Sequence, residues 1–455
     1  MSINLSDLTS PNNQDIFAEI TSGADFLDPI GKLKNLSRGA NKGGHALQTV
    51  GLNQPRALPL IKNPSGNLGG YLYIPNVSGN YATGPSVTIG ANQTWQAEVD
   101  MVITQLGNYV RPLGGGDWSS GFGLLISATQ LFIFCKSGSG VNGSILGITL
   151  GTPFNLKYGF DGTYLYVQVD GTRANVTQPS NQATSITHLL ELNQQTLNET
   201  GNYAIQKAKL TVNNAVVFDC DFNGSTSIRH GDTKFKCATG QVVTVNQSGE
   251  DPASIIKRPV LRFAHSASTS LLGTFASAVS GFHIFAALKI LGGGGGNNAV
   301  LFGTNLTGGN TGSNDAFVMR KSSTSNELSI RYDGQNLITH PNFYDDARGD
   351  FLFDGNFKSG TLVSRVNNAD TKTATRNDDL EVTEFSIANE VTSGIPSPSS
   401  FDLEYLALFP ATITDAQADS VREHIRAKTQ VYDLPTPIQN DYSVAFDGTD
   451  DYMSM

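Results

Sequence analysis

One pattern constrains the fold of this chain more than any other, because it occurs three times. A short apolar run meets a turn, and a new series of strand-like segments begins. The first copy is Leu72-Tyr73-Ile74-Pro75-Asn76-Val77-Ser78-Gly79-Asn80-Tyr81-Ala82 and the second is Val260-Leu261-Arg262-Phe263-Ala264-His265. The third, Val444-Ala445-Phe446-Asp447-Gly448-Thr449-Asp450-Asp451-Tyr452, stops three residues later. Repetition at this scale predicts two complete β modules and the first strand of another. A single enzyme core has no use for the copies, so the pattern points toward a modular adhesion or structural protein.

Composition agrees. A chain of 455 residues is too long for one core and suits two domains. Its 48 glycines accompany a charged fraction of only 15%, a usage that suits short strands joined by tight turns needing positive φ. Phe (24) and Tyr (14) far outnumber Trp (2), as on strand faces that pack together. The net charge of −10, with no Lys/Arg cluster, argues against a nucleic-acid partner. Cys135, Cys220 and Cys237 are read as small buried hydrophobes; a Cys220–Cys237 pair is not demanded by anything in the sequence. Apolar runs are short, and Ile284 to Leu291 is already interrupted by Lys289, so no membrane insertion is expected. The start, Met1 to Asp7, lacks the basic and apolar regions of a secretion signal. That combination fits a protein made in the cytoplasm and released by assembly into a particle.

Residues 1–21 read as a polar lead-in in which Ser10-Pro11 starts a short helix. Its stripe of Ile16, Phe17 and Ile20 needs a surface, either its own domain or a partner subunit to which it would serve as an attachment segment. The first sandwich, with its joint, is expected over 22–255. In Trp95 to Ile103 alternate residues share one apolar face. Asp161-Gly162, Asp170-Gly171 and Asn213-Asn214 separate alternating runs and predict hairpins. The second sandwich is expected over 256–434, with Phe282 to Ile290 in the place of the Trp95 strand. A glycine run follows each of these strands, Gly114–Gly116 and Gly292–Gly296, and suggests loop flexibility or close approach of another subunit's backbone. After Asp402 to Phe409 comes the best-marked helix: Thr414 is a natural N-cap and Gln417 completes a capping box. Ala418, Val421 and Ile425 form its apolar stripe. Residues 435–455 read as a linker and the first strand of a third module.

The order of closing strand, Thr414-Asp415-Ala416-Gln417 helix, Pro-containing linker and Val444 to Tyr452 resembles tandem concanavalin A-like (laminin-G-like) jelly-roll domains. The segment Leu36 to Pro55 followed by Tyr71 to Ala82 resembles the opening of such domains in bacteriophage and prophage structural proteins, and Gln241 to Gly249 resembles their inter-module joint. The resemblance implies an all-β fold of two tandem antiparallel β-sandwich modules. It further implies a non-enzymatic virion protein of fibre or appendage type, displaying lectin-like modules to host-surface glycan. Capsid or tail decoration, with the sandwiches as spacers, is the alternative, and a glycan hydrolase a distant one. The partners implied are other virion proteins and further copies of the chain.

Candidate site residues are few. Retaining hydrolysis needs two carboxylates about 5–5.5 Å apart, and the pattern of the resembling hydrolases is Glu-x-Asp-x-x-Glu. Asp402-Leu403-Glu404 lacks the third acid and Asp219-Cys220-Asp221 has no glutamate, so no catalytic residue is assigned. Asp447, Asp450 and Asp451 form an oxygen-rich loop suited to calcium, against the plainer reading of a solvated turn; no cofactor is required. The second opening has Ala264 to Ser268 in that place and lacks those acids. Trp118, beside Asp117 and the first glycine run, offers a ring on which a sugar can stack, against the plainer reading of a core cap. His283 is expected to be half-exposed on its strand and His424 to lie on an exposed helix face; neither suits zinc.

Overall fold

The computed structural model describes residues 56–429 except 108, 118, 128–129, 136–146, 177–184, 194–200, 226, 249–250, 265–269, 292–298, 306–314, 322–326, 333–334, 342–349, 359, 368–370, 377–380 and 389–399. Upstream it describes the strands Asp15–Ile16, Lys32–Leu33 and Ala46–Leu47; the rest of 1–55 and all of 430–455 lie outside.

The chain is all-β, arranged as two antiparallel sandwiches with one described helix. Each has a sheet on the side of the inter-module joint and a far sheet. In the first, the joint-side sheet runs Thr172–Val176, Leu165–Val169, Phe154–Phe160, Trp95–Leu106, Gly201–Val212, Tyr71–Ile74, Ser254–Ile256. In the second it runs Lys372–Arg376, Gly360–Val366, Asp350–Lys358, Gly281–Ile290, Phe401–Pro410, Val260–Phe263, Arg56–Leu58. The Trp95 and Phe282 strands therefore hold the same central place. The far sheets correspond likewise: Tyr81–Ile89 and Leu271–Val279 occupy one place, Ile186–Leu192 and Val382–Ile387 the next.

Alternation builds each core. Trp95, Ala97, Val99, Met101 and Ile103 point inward to Leu156, Tyr158 and Phe122, and the Trp95 ring meets Phe122 edge-on at 5.4 Å. Phe282, Ile284, Ala286 and Leu288 do the same in the second core beside Phe302 and Phe357. The hairpins form where Asp-Gly and Asn-Asn predict them. Asp170 and Gly171 have φ of 45° and 87°, and Asn213 and Asn214 have 48° and 63°, the left-handed pair that a two-residue turn between twisted strands requires. All three cysteines are buried and free.

The division between modules differs from the expected 22–255 and 256–434. Arg56–Leu58 pairs with Val260–Phe263, Ala46–Leu47 with Leu271–Val279, and Asp15–Ile16 with Phe401–Pro410. These upstream strands belong to the second sandwich, not the first, because they cover backbone edges that its own chain leaves open. Asp15 and Ile16 are extended, so the helix expected across them is not formed there; Phe17 and Ile20 lie outside the described residues.

Between the sandwiches, Tyr71, Tyr73, Val102, Ala204 and Ile256 of one joint-side sheet meet Leu58, Ile61 and Val260 in a small apolar core. On the outer face of the same joint-side sheet of the second sandwich lies the helix Asp415–Thr429. Gln417 N–H donates to Thr414 Oγ1 at 3.3 Å, and Thr414 N–H donates to Gln417 Oε1 at 2.9 Å, completing the capping box. Ala418, Val421 and Ile425 bury against Phe285, Ala287, Tyr405, Ala407 and Phe409.

Candidate functional site

Two places gather polar groups: a loop on the far sheet of the first sandwich, and the joint. The loop begins at Val110, held by reciprocal backbone bonds to Ile126, and runs through the strand Gly114–Gly115 to Phe122. Its glycines answer to close approach within the chain. A Cβ on Gly115 would meet Leu189 O at 2.8 Å, and one on Gly116, at φ 71°, would sit 2.7 Å from the His188 ring. Arg111 lies beneath, fully buried. Its Nη1 donates to Gly116 O at 2.5 Å and its guanidinium stands 5.0 Å from the centre of Phe134. Burial pushes the Glu191 carboxyl up, while Arg111 and His188 pull the other way.

The rim of this loop carries Asp117, Ser119 and Ser120. Asp117 Oδ1 accepts from the Ser119 and Ser120 amides at 2.9 and 2.8 Å and from their hydroxyls at 2.7 and 2.8 Å. The hydroxyls of Ser119 and then Ser120 lower its pKa to about 2, so it remains an acceptor across the physiological range. His188 Nε2 lies 3.0 Å from Ser120 O, and Leu189 beside it is 46% exposed. Carboxylate, hydroxyls, imidazole and an exposed apolar side chain together offer hydrogen bonds and an apolar contact to a polyhydroxylated ligand. Trp118, the neighbour proposed for stacking, lies outside the described residues.

At the joint the sheets bring together acids that are far apart in sequence. Arg262, 1% exposed, spends its five N–H donors on Asp402 Oδ1 (2.5 Å) and Oδ2 (3.0 Å), Asp251 Oδ1 (2.8 Å), Pro252 O (3.1 Å) and Ser254 Oγ (2.6 Å). Tyr73 donates to Asp251 Oδ2 at 2.9 Å, and Arg258 pairs with Glu404 at 2.6 Å. His230 accepts the Lys257 amide on Nδ1 at 3.2 Å, which leaves Nε2 to carry the proton toward Asp402 Oδ2, 3.4 Å away. Burial lowers the His230 pKa to about 4. Burial works against the Asp402 carboxylate too, but Arg262 and His230 outweigh it and hold its pKa near 2. Asp402 and Glu404 thus face guanidinium groups in a closed interface, not an open cleft.

The remaining candidates separate. Asp219 pairs with Lys209, and Asp221 accepts the Asn223 and Gly224 amides of a turn. His283 is buried, not half-exposed: Nε2 contacts Asp354 Oδ1 at 2.9 Å, and Arg422 of the helix takes Asp354 Oδ2 at 2.5 Å. His424 is half-buried with its ring edge-on to Tyr405, because the helix packs that flank against the sheet. Asp447, Asp450 and Asp451 lie outside the described residues. Among the described residues no three His, Cys, Asp or Glu side chains form a metal-holding group, and no described helix is long and apolar enough to cross a membrane. The joint was missed in the sequence because its members come from five separate segments; the buried Arg262 within an otherwise apolar strand opening was the signal.

No family model matches the chain, and no curated protein matches its sequence. Among solved structures, it is similar to domains LG4-5 of the mouse laminin alpha1 chain at 12% identity and TM-score 0.28, covering 77% of this chain and 91% of that one. It is similar to the exoplasmic/lumenal domain of VIP36 in its Ca2+/Man3GlcNAc-bound form at 14% identity and TM-score 0.23, covering 34% of this chain and 82% of that one. A Trypanosoma rangeli sialidase matches at 10% identity and TM-score 0.28, covering 68% of this chain and 61% of that one. At these scores none of the three assigns an activity.

Proposed function

We propose that this chain is a non-enzymatic structural protein of a virus particle, of fibre or appendage type, whose lectin-like sandwiches adhere to host-surface glycan. The observation that carries the non-enzymatic part is the placement of the acids. The two acid pairs nearest a hydrolase pattern are engaged elsewhere, Asp402 and Glu404 by arginines in the joint and Asp221 in a turn. The Asp117 rim supports adhesion, since Ser119, Ser120 and Leu189 are exposed beside half-buried Asp117 and His188 on a glycine-built loop. The virion setting rests on the resemblance of 36–55, 71–82 and 241–249 to phage structural proteins. Decoration of a capsid or tail is the second reading, favoured by the apolar and charged joint that would make the sandwiches a stiff spacer.

The test is a glycan array probed with the full-length chain, alongside negative-stain images of particles labelled on it. Binding to a defined glycan, weakened at least about tenfold by Asp117→Ala with His188→Ala while the melting temperature is unchanged, is the expected result. Silence across the array sinks the adhesion reading in favour of decoration, and absence of label from particles sinks the virion setting. Binding is expected to survive EDTA; loss that calcium restores would instead give the ion a role at the third opening.

A further inference from the structure

The upstream strands hold places that the first sandwich fills from its own downstream chain. Ala215–Asp221 lies along the closing strand Gly201–Val212; Asp15–Ile16 lies along the closing strand Phe401–Pro410. Lys234–Lys236 and Val242–Asn246 extend the far sheet beyond Tyr81–Ile89; Lys32–Leu33 and Ala46–Leu47 extend the other far sheet beyond Leu271–Val279. Ser254–Ile256 edges the opening strand Tyr71–Ile74; Arg56–Leu58 edges the opening strand Val260–Phe263. Four strands occur in the same order in each set. The four described strands between 15 and 58 are therefore to the second sandwich what those of 215–256 are to the first, although more than 200 residues separate them from the sandwich they complete.

The two sets differ in how they are tethered. Ser254–Ile256 is followed after three residues, 257–259, by the opening strand of the next sandwich. Arg56–Leu58 reaches Tyr71 through twelve residues, 59–70. The crossing itself needs only three residues, so most of that length is slack, folded into the small hairpin Ile61–Lys62 with Leu68–Gly69. One side of the hairpin is open: Lys62 and Leu68 are exposed, Leu68 at 62%, while Ile61 packs into the joint and its carbonyl accepts from Gln206 at 3.0 Å. Drawn out, twelve residues span about 40 Å.

We propose that residues 15–58 are a donor-strand segment, that 59–70 is its hinge, and that the segment completes the second sandwich of another copy of this chain when copies assemble. Every backbone bond made within one chain is available between two, so exchange leaves the paired strands unchanged and converts folding contacts into an intermolecular link. The assignment is independent of what the Asp117 rim binds.

Two full-length preparations with different affinity tags test it. Unfolded together and refolded at rising concentration, they are expected to yield mixed-tag dimers or longer assemblies whose share increases with concentration, while folded chains mixed afterwards stay separate. Deleting 63–67 shortens the hinge but leaves more than the three residues that the return crossing uses, so this variant is expected to refold as monomer with an unchanged melting temperature. Monomers at every concentration in the parent chain overturn the proposal. So do mixed assemblies that persist undiminished in the 63–67 deletion, because they would report a surface contact rather than exchanged strands. If the deletion variant fails to fold, isotope-filtered NOEs in parent dimers of one labelled and one unlabelled chain decide: contacts of 56–58 in one chain with 260–262 of the other support exchange, and contacts only within one chain overturn it.

Discussion

At the scale of single residues, the joint explains both cohesion and acid response. Arg262 is buried with all its donors engaged, so removing its main acceptor leaves two donors unmet and only Asp251 as counter-charge. Asp402→Ala is expected to cost about 3–5 kcal/mol, measurable by urea unfolding. The pH dependence follows from the signs. His230 has a folded pKa lowered from 6.5 to about 4, so the unfolded state takes up its proton first and stability falls as pH drops through that window. A shift of this size corresponds to roughly 3 kcal/mol. Protonation of Nδ1 would also displace the Lys257 amide that it accepts. His340, buried against Ser364 with its pKa likewise near 4, adds to the same window. Asp402 adds a later loss as pH falls from about 3.8 toward 2, since its folded pKa is the lower one. Melting temperature against pH is therefore expected to decline below about 6.5, and His230→Asn to flatten part of that decline. An unchanged slope in the variant would remove His230 from the account.

At the scale of elements, turns and caps are the places where local sequence decides. Thr414 and Gln417 cap each other, and Thr414→Ala is expected to cost about 1 kcal/mol, seen as faster amide exchange over 415–420. Asn213 and Asn214 both sit at positive φ. Alanine at either is expected to destabilise by about 1–2 kcal/mol, whereas Gly at Asn214 is close to neutral; equal losses for both substitutions would deny the backbone explanation. These elements were legible because a capping box and a left-handed pair need only neighbours along the chain. The placement of His283 was not. Strand parity puts it on the face opposite the core, but that face is covered by a helix that begins more than 130 residues later, and Arg422 then closes on Asp354.

At the scale of the whole molecule, the two sandwiches share an apolar contact whose members come from 58 to 260. Leu58 is fully buried there, and Leu58→Ala is expected to cost about 2–5 kcal/mol. Because Leu58 edges the second sandwich while packing on the first, the variant is expected to raise hydrogen exchange in both 71–74 and 260–263. A change confined to one of them would show that the sandwiches are energetically separate. The class of the fold, the hairpins, the helix and the repeat of the Trp95 and Phe282 strands were already legible along the chain. Those follow from periodicity and turn chemistry, which act over a few residues. Which sandwich the described strands before 59 complete, and the convergence of Arg262, His230, Asp251 and Asp402, emerged with the folded sheets. Strand pairing is a backbone interaction that any extended segment can make, so its partner is chosen by where the rest of the chain leaves an open edge. Side chains from separate segments meet only once the sheets have been placed.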